Sequence, residues 1–478
     1  MQMTRLELHD TIAGRLIVWE PSARTRAAIE RAVPGDDQPS YMQETHLGLR
    51  RAMAKIDKRD ASWVGTAFDL PGELDVDAMA AALTQWVRRH AVLWGWFVVA
   101  EDGGYQRFDL SPEDIEIVPR EVKVSESPSE TTDFIGGLFE ETCTPFDGLG
   151  YAFAAAVGAD SSVVYTAADH TYTDGFSVLV TFEEVNALYQ EAIGGSPAEL
   201  PPAGSFMQHA QLEREVAERA TRDHPAVAYW IEYALKDGGG TPRFPMDLGL
   251  EPGEKQLLEP GRYALLSAPE TDALEVHARA EGATFPALVY AACALAARDL
   301  AGQTSYRFLN PISTRYSPEL QHAMGWLVNL MPVHIDVPDA ADLMEVARAT
   351  RQTFREARVT QELPAIRVLQ ILSEAFGFDS DSTERPSIVS YLDGRKAPGQ
   401  EAWARQRFFG LTGGGHDDDV NVWINRMPTN TYVTCSVPGT AVARANVARY
   451  FEHVAELLRA ELEGVLGHRL TSAHTAFV

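Results

Sequence analysis

The sequence predicts an α/β protein made of two lobes, each with its own core. At 478 residues the chain is longer than one hydrophobic core usually supports. Short runs of β-branched residues alternate with segments of helical periodicity along most of that length. Clusters of glycine and proline at 194–197 and 201–204 interrupt the alternation. We therefore place the boundary there and expect an N-terminal lobe at 1–198 and a C-terminal lobe at 205–478.

The predicted N-terminal lobe alternates strands with helices. Asp75 is placed to cap a helix whose apolar residues share one face and whose end carries Arg88 and Arg89. Segment 39–43 shows no clear pattern. The predicted strands are 15–20, 63–70, 93–100, 152–157 and 162–167, and the predicted helices are 76–90, 134–139 and 176–189.

The predicted C-terminal lobe repeats this organisation. Thr284 is placed to cap a helix with a broad apolar face, and Asn310 and Pro311 end a short strand. The glycine- and proline-rich segment 238–260 is predicted to be a loop. The predicted helices are 206–219, 226–235, 271–281, 285–296, 343–354, 366–372 and 447–458, and the predicted strands are 306–309, 387–392, 420–424 and 431–437, the last two as partners.

Composition excludes several classes of function. The formal net charge of −27 predicts a surface that repels nucleic acid and anionic membranes. Cys143, Cys293 and Cys435 lie far apart among apolar neighbours, which predicts buried thiols rather than disulfides or a metal site. The sequence shows no signal-peptide pattern and no apolar run of membrane-spanning length. We expect a cytoplasmic protein with no bound metal, no nucleic-acid partner and no membrane span.

The stretch from Asp169 to Gly175 holds the residues best suited to chemistry. A buried strand gives way there to a helix, and His170 stands at the junction. Histidine is a natural general base because its free pKa lies near neutrality. Asp174 either orients the imidazole, as in a triad, or points away and needs a cation, for which Arg315 is our candidate. From this pattern alone, a core histidine followed by a capping aspartate is an equal alternative.

Several other kinds of active site are missing from the sequence. It contains no Gly-x-Ser-x-Gly elbow, no His-Glu-x-x-His pair, no phosphate loop and no dinucleotide fingerprint. A reaction that needs one base and two bound substrates is compatible with this small set of groups.

The His-x-x-x-Asp-Gly pattern resembles the motif of the chloramphenicol-acetyltransferase-like superfamily. Segments 83–93, 310–315 and 325–332 are similar to its other motifs and occur in the same order. Segments 17–20, 39–41, 68–72, 390–393 and 422–426 are most similar to the polyketide-associated acyltransferases that acylate trehalose. Asp169 stands where many condensation domains have a second histidine, which makes peptide condensation less favoured. The Asp-Phe-Gly-Trp-Gly motif of the plant acyltransferases is absent, which excludes that branch.

This resemblance implies two chloramphenicol-acetyltransferase-like lobes in a V with a central tunnel. It implies transfer of an acyl group from a thioester to a hydroxyl of a sugar. The thioester is either acyl-CoA or a carrier-bound phosphopantetheine thioester, and the sugar that the resemblance favours is trehalose. His170 would be the general base, Asp174 a structural partner of Arg315, and Gly175 the residue that permits the turn. No cofactor is expected to be bound, and an acyl carrier or polyketide synthase protein is a candidate partner. The candidates for substrate binding, with ordinary packing as the alternative, are Asn329, Tyr391, Trp423 and Asn425.

Two other functions compete with this one. A free-standing condensation enzyme would form an amide or an ester from carrier-bound substrates, and general-base chemistry alone does not separate an amine from a hydroxyl acceptor. A catalytically inactive interaction module would keep the fold, although the intact His170, Asp174 and Gly175 count against it. The basic residues Arg395, Lys396, Arg405 and Arg407 either meet the phosphates of the donor or form a solvated loop.

Overall fold

The computed structural model describes residues 2–55, 61–146, 148–238, 240–376 and 386–475. The chain forms two compact units. Unit 1 comprises Met1–Arg219, Ser313–Val328 and Ala397–Gly415, and unit 2 comprises Ala220–Ile312, Asn329–Lys396 and His416–Val478. This division differs from contiguous lobes at 1–198 and 205–478, because 205–219, 313–328 and 397–415 belong to unit 1.

Both units contain helices and strands in mixed order. The helices are α1 Ala23–Arg31, α2 Tyr41–Lys55, α3 Val76–Arg89, α4 Pro128–Thr142, α5 Ser177–Ala192, α6 Phe206–Glu218, α7 Pro225–Leu235, α8 Ala268–Ala280, α9 Phe285–Ala301, α10 Leu343–Glu356, α11 Ala365–Phe376 and α12 Ala441–Thr475. The strands are β1 Gln2–Arg5, β2 Gly14–Pro21, β3 Trp63–Pro71, β4 Gly95–Val99, β5 Tyr105–Asp109, β6 Ile117–Ser125, β7 Tyr151–Val157, β8 Ser161–Asp169, β9 Gln256–Ser267, β10 Ser305–Ser313, β11 Val328–Asp336, β12 Val389–Asp393, β13 Phe409–Thr412, β14 His416–Asp417, β15 Asn421–Arg426 and β16 Asn430–Pro438.

Unit 1 is built on a sheet with strand order β1-β13-β3-β8-β7-β2-β6. Strands β7 and β8 are buried along almost their whole length, as expected for central strands covered on both faces. On one face, Phe139 of α4 packs with Ala152 and Ala154. On the other, Trp86 of α3 meets Phe153 edge-on, with ring centroids 6.0 Å apart. This sandwiched position makes the end of β8 a rigid place for a side chain.

Unit 2 has a sheet of order β12-β15-β16-β9-β14 and a separate pair, β10 with β11. The predicted partnership of the 420–424 and 431–437 strands is confirmed, since β15 and β16 pair antiparallel. Helix α9 is buried along most of its length, and Ala287 N donates to its capping residue, Thr284, at 3.3 Å. Among the residues that the structure describes, no single helix is long and apolar enough to cross a membrane. Helices α8 and α9 reach the necessary length and hydropathy only when taken together, and they are bent by 96° relative to each other.

Several predicted elements need correction. Segment 39–43, which shows no clear pattern in the sequence, contains the start of helix α2 at Tyr41. The predicted loop 238–260 already contains the beginning of β9. The predicted strand 93–100 starts with a 3₁₀ turn at Ala91–Trp94 before β4. The caps predicted for α3 and α9 are confirmed, since Ala78 N donates to the Asp75 carboxylate at 2.9 Å and Ala287 N donates to Thr284 Oγ1 at 3.3 Å.

Candidate active site

His170 lies immediately after the last residue of β8, in a short 3₁₀ turn at His170–Tyr172. Its backbone N–H donates to the Ser62 carbonyl at 2.8 Å, and this bond continues the pairing of β8 with β3. Helix α5 then begins at Ser177. The strand-to-helix junction predicted for this histidine is therefore present, and all of its neighbours described below belong to unit 1.

The imidazole of His170 is held by an aromatic neighbour. Its ring lies against the Trp326 indole, with centroids 3.9 Å apart and an interplanar angle of 33°. Its Nδ1 is buried and has no hydrogen-bond partner in another residue that the structure describes, while the side chain as a whole stays partly exposed. Burial, and then a charged His46, lower the pKa of His170 below its ordinary value, although a hydrogen bond with its own backbone and the charges of Asp174 and Asp169 act in the opposite direction. The ring is therefore neutral at neutral pH and able to accept a proton.

Asp174 forms a two-point pair with Arg315, as the sequence analysis expected. The Arg315 Nη1–Oδ2 and Nη2–Oδ1 distances are 2.8 and 2.9 Å, and the two side chains are only 1% and 2% exposed. Burial raises the pKa of Asp174, but Arg315 and the hydrogen bonds outweigh it, so that the net shift is downward. Oδ1 also accepts from the Ser177 N–H at 2.7 Å at the start of α5. This geometry is that of a structural ion pair rather than of a triad.

The same carboxylate holds the segment that carries Trp326. Asp174 Oδ2 accepts from the Leu327 N–H at 3.0 Å, and Ser177 Oγ donates to the Gly325 carbonyl at 3.0 Å. Both residues next to Trp326 in the chain are thus fixed to the N-terminus of α5. The ion pair therefore acts on His170 indirectly, through the tryptophan that stacks on its ring.

The two glycines of the predicted motifs differ in what they require. Gly175 was expected to permit the turn, but its φ lies outside the left-handed range, and a Cβ there would meet no atom within 4 Å. That expectation therefore has no basis in the backbone geometry. Gly325 has a φ of +149°, and a Cβ there would lie 2.4 Å from carbon atoms of the Phe206 ring. Glycine is required at 325 rather than at 175.

The pair of variants Gly325→Ala and Gly175→Ala tests this difference. We expect Gly325→Ala to lose about 1–3 kcal/mol of stability, because an alanine there is strained and crowded. It should also lower activity, because Trp326 is the next residue. The free energy of unfolding of Gly175→Ala should lie within about 0.5 kcal/mol of the wild-type value. Thermal unfolding of both variants checks this, and equal losses would contradict it.

Asp169 is a second buried carboxylate next to the histidine. Its oxygens accept from the Thr171 N–H at 2.9 Å and from Ser62 Oγ at 2.5 Å, and one lies 3.0 Å from His46 Nε2. Arg50 Nε lies 3.7 Å away. Burial raises the pKa of Asp169, but the charge and hydrogen bond of His46, with those of Ser62 and Thr171, outweigh it and lower the pKa to about 2. From the sequence, Asp169 is identified only as the residue that stands in place of a second histidine, and His46 is not predicted to belong to the site.

Two of the four candidate substrate-binding residues use their amides for internal bonds of unit 2. Asn329 Nδ2 donates to the Leu363 carbonyl at 2.8 Å, and its Oδ1 accepts from the Ala365 N–H at 2.9 Å, which caps α11. Asn425 Nδ2 donates to the Trp423 carbonyl at 2.8 Å and to Thr434 Oγ1 at 3.0 Å. The side-chain amides of both asparagines are therefore engaged in hydrogen bonds within unit 2.

The aromatic candidates differ in exposure. Tyr391 is partly buried and packs against the core of unit 2, with its ring centroid 6.3 Å from that of Phe285. Trp423 is 38% exposed, so that of these two rings it offers more free surface. All four candidates lie in unit 2, whereas the histidine, its tryptophan and the ion pair lie in unit 1.

Two of the four basic residues have carboxylate partners. Arg395 Nη2 lies 2.6 Å from an oxygen of Asp393, and Arg407 Nε lies 2.6 Å from Asp69. In the part of the chain that the structure describes, no group of three or more histidine, cysteine or acidic side chains could hold a metal ion. The thiols of the three cysteines are free and buried, as predicted.

Curated relatives cover almost the whole chain. A family model described as condensation domain matches residues 47–378. Acyltransferase PapA3 of Mycobacterium tuberculosis (strain CDC 1551 / Oshkosh) is 29% identical over 464 residues, which cover 93% of this chain and 94% of that protein. Trehalose-2-sulfate acyltransferase PapA2 of Mycobacterium bovis (strain BCG / Pasteur 1173P2) is 28% identical over 461 residues, which cover 95% and 96%.

Solved structures agree with these relatives. A PapA2 acyl transferase superposes with a TM-score of 0.89 at 25% identity, covering 97% of this chain and 100% of that one. The first condensation domain of the CDA synthetase superposes with a TM-score of 0.66 at 18% identity, covering 89% and 96%, which shows a shared fold. The mixed α/β class and the resemblance to polyketide-associated acyltransferases are confirmed. The chain belongs to the condensation-domain family, and it is an acyltransferase.

Proposed function

We propose that this protein moves an acyl group from a thioester to a hydroxyl of a sugar, with His170 as the general base. The observation that carries the proposal is the state of the His170 ring. It is fixed against Trp326, partly exposed, and neutral at neutral pH because its pKa is lowered. A neutral imidazole held at a strand end is suited to take a proton from a bound hydroxyl.

In the proposed reaction, His170 accepts the hydroxyl proton as the acceptor oxygen attacks the thioester carbonyl. The new C–O bond forms, the carbonyl oxygen takes up negative charge, and the tetrahedral intermediate then collapses. The C–S bond breaks, the thiolate leaves, and the imidazolium returns its proton to the sulfur. The products are an ester and a free thiol, and His170 is neutral again.

Direct attack is favoured over an acyl-enzyme because two candidate nucleophiles of unit 1, the Ser177 hydroxyl and the Cys143 thiol, are hydrogen-bonded or unreactive. Ser177 Oγ is buried and bonded to Arg315 Nη2 at 2.9 Å and to the Gly325 carbonyl. Burial raises the pKa of the Cys143 thiol well above its ordinary value, and the nearby Asp169 charge adds to this. A buried, protonated thiol is a poor nucleophile.

The names of the relatives support trehalose as the acceptor. One is a trehalose-2-sulfate acyltransferase, and another, PapA1 of Mycobacterium tuberculosis (strain CDC 1551 / Oshkosh), is a 2'-acyl-2-O-sulfo-trehalose (hydroxy)phthioceranyltransferase, 25% identical over 472 residues. We propose the same class of acceptor here, together with an acyl-CoA or carrier-bound donor and a cytoplasmic site of action.

Mass spectrometry of the products tests this function. The protein is incubated with a mixture of acyl-CoAs, or with a phosphopantetheine-loaded acyl carrier, and with trehalose, trehalose-2-sulfate or a panel of amines. We expect a sugar ester that is absent when His170→Ala replaces the wild type. Amide formation with an amine, and no ester with any sugar, would instead identify a condensation enzyme.

A further inference from the structure

One face of helix α2 is directed at the residues on either side of His170. Gln43, His46 and Arg50 follow each other at spacings of three and four residues, which places them on the same face. Gln43 Nε2 donates to the Thr171 carbonyl at 2.8 Å. His46 Nε2 lies 3.0 Å from Asp169 Oδ1, and Arg50 Nε lies 3.7 Å from the other oxygen of that carboxylate.

This helix is itself held in place. The Ser40 N–H donates to Gln43 Oε1 at 2.9 Å and the Gln43 N–H donates to Ser40 Oγ at 3.2 Å, which forms a capping box at its start. From α6, Arg214 Nε donates to the Pro39 carbonyl at 2.5 Å and Gln211 Nε2 donates to the Gln38 carbonyl at 3.0 Å. The α2 face therefore meets the His170 turn from a fixed position.

His46 also reaches the other neighbour of the base. Its ring meets the Trp326 indole edge-on, with centroids 5.4 Å apart and an interplanar angle of 74°. The centroids of His46 and His170 are 6.2 Å apart. Trp326 thus contacts the His170 ring, and Asp169 precedes His170 in the chain. His46 contacts both Trp326 and Asp169.

We propose that Asp169 and the α2 face of Gln43, His46 and Arg50 are positioning residues for acyl transfer, acting on the reaction through His170. The inference rests on the proposed function in one respect, namely that His170 is the reacting base. None of these four side chains needs to touch a substrate. Their role is to fix the orientation of the imidazole and the charge around it.

The charges around the base make this role measurable. The charged groups around the His170 ring include Asp169 and Asp174, which precede and follow it in the chain, His46 and Arg50 from α2, and Arg315, which pairs with Asp174. The two carboxylates stabilise a protonated imidazole, whereas a charged His46 destabilises it. Removing one carboxylate and removing His46 should therefore move the titration of His170 in opposite directions.

The test is an NMR titration of histidine rings labelled at Cε1, in the full-length protein and in the variants Asp169→Asn and His46→Gln. His170→Ala assigns the His170 signal. We expect the midpoint of His170 to move to lower pH in Asp169→Asn and to higher pH in His46→Gln. In steady-state assays with an acyl-CoA and trehalose, kcat should fall on the order of 10- to 100-fold with KM within about twofold, as for a misplaced catalytic group.

His277→Gln is the matched control, because its Nε2 lies 2.8 Å from Glu461 Oε1 in unit 2 and forms the same kind of pair. It should leave both the His170 titration and kcat unchanged. An unchanged His170 midpoint in folded His46→Gln would overturn the proposal, and this variant decides alone where Asp169→Asn does not fold. If His170 shows no titration in the wild type over the accessible pH range but does titrate in His46→Gln, its midpoint has moved to higher pH, as expected. If the wild type acylates no sugar, the proposed function fails, but the titration still decides the inference.

Discussion

His170→Ala is expected to lower the rate of acyl transfer by about two to four orders of magnitude while the protein remains folded. The loss follows from the removal of the only group we place at the acceptor proton. The fold should survive because the backbone bond from residue 170 to the Ser62 carbonyl does not depend on the side chain, and the ring is partly exposed. The measurement is kcat/KM with an acyl-CoA and trehalose, together with circular dichroism and thermal unfolding.

The pH dependence gives this prediction a second readout. Since the pKa of His170 is lowered, the wild type should keep its neutral base below pH 6.5, the ordinary value, and lose activity only as the pH falls through the lowered value. The alanine variant should lack that acid limb. His453→Ala removes a partly exposed histidine of unit 2 and should behave as the wild type. A folded His170→Ala that transfers acyl groups at nearly the wild-type rate would remove His170 from this role.

The need for a cation near Asp174 could be predicted from local sequence and charge, because a buried carboxylate must either face a base or find a counter-ion. The resemblance of 310–315 to a motif of the superfamily supported Arg315 as that cation. The structure places Arg315 on Asp174 with both side chains buried. The position of His170 could be predicted as well, because its strand is a continuous buried run and the next helix has clear periodicity.

The contacts that surround the base could not be predicted in the same way. His46 meets Asp169 across 123 residues of sequence, and Trp326 stacks on His170 across an even longer interval. Such contacts depend on how elements pack, which no local pattern encodes. The helical spacing of Gln43, His46 and Arg50 could have predicted helix α2. The segment that precedes them is polar as well, so that the start of the helix could not be recognised.

Two of the strands that were not predicted are short or half exposed, whereas β11, which was not predicted either, has nine residues and is largely buried. β6 is an edge strand whose residues include Arg120, Glu121 and Lys123, so that its alternation is blurred by charged side chains. β13 has four residues and joins the sheet of unit 1 from a distant part of the chain, between β1 and β3. The boundaries between the units were not predicted either, because the glycine and proline clusters at 194–204 lie within unit 1, and no composition shift was found where 313–328 and 397–415 return to it.

Asp174→Asn is expected to destabilise the protein by about 3–5 kcal/mol, since breaking one side of a buried pair leaves the Arg315 guanidinium without its counter-ion. For a unit of this size, the melting temperature should fall on the order of 10 °C. Activity should fall too, because the same carboxylate accepts from the Leu327 N–H and so holds Trp326 against His170. Differential scanning calorimetry and the acyl-transfer assay measure the two effects.

Asp393→Asn is the matched control for this variant. Asp393 also forms a two-point pair with an arginine, Arg395, but the two side chains are 38% and 37% exposed. Pairs of such exposure contribute about 0–1 kcal/mol, so the control should unfold close to the wild-type temperature. A double-mutant cycle with Arg315→Met completes the comparison, because the coupling between 174 and 315 should account for most of the loss. Equal losses in Asp174→Asn and Asp393→Asn would contradict a buried pair.

The stability difference between wild type and Asp174→Asn should depend on pH with a definite sign. The folded-state pKa of Asp174 is lowered, so its contribution is fully present above the unfolded-state value of about 3.9 and is lost as the pH falls through the folded-state pKa. The two melting temperatures should therefore stay apart at neutral pH and converge only in acid, below about pH 4. Other buried carboxylates, such as Asp169, titrate in both proteins and largely cancel in the difference. A difference in melting temperature that is constant from neutral pH into acid would show that Asp174 contributes by its shape and hydrogen bonds and not by its charge.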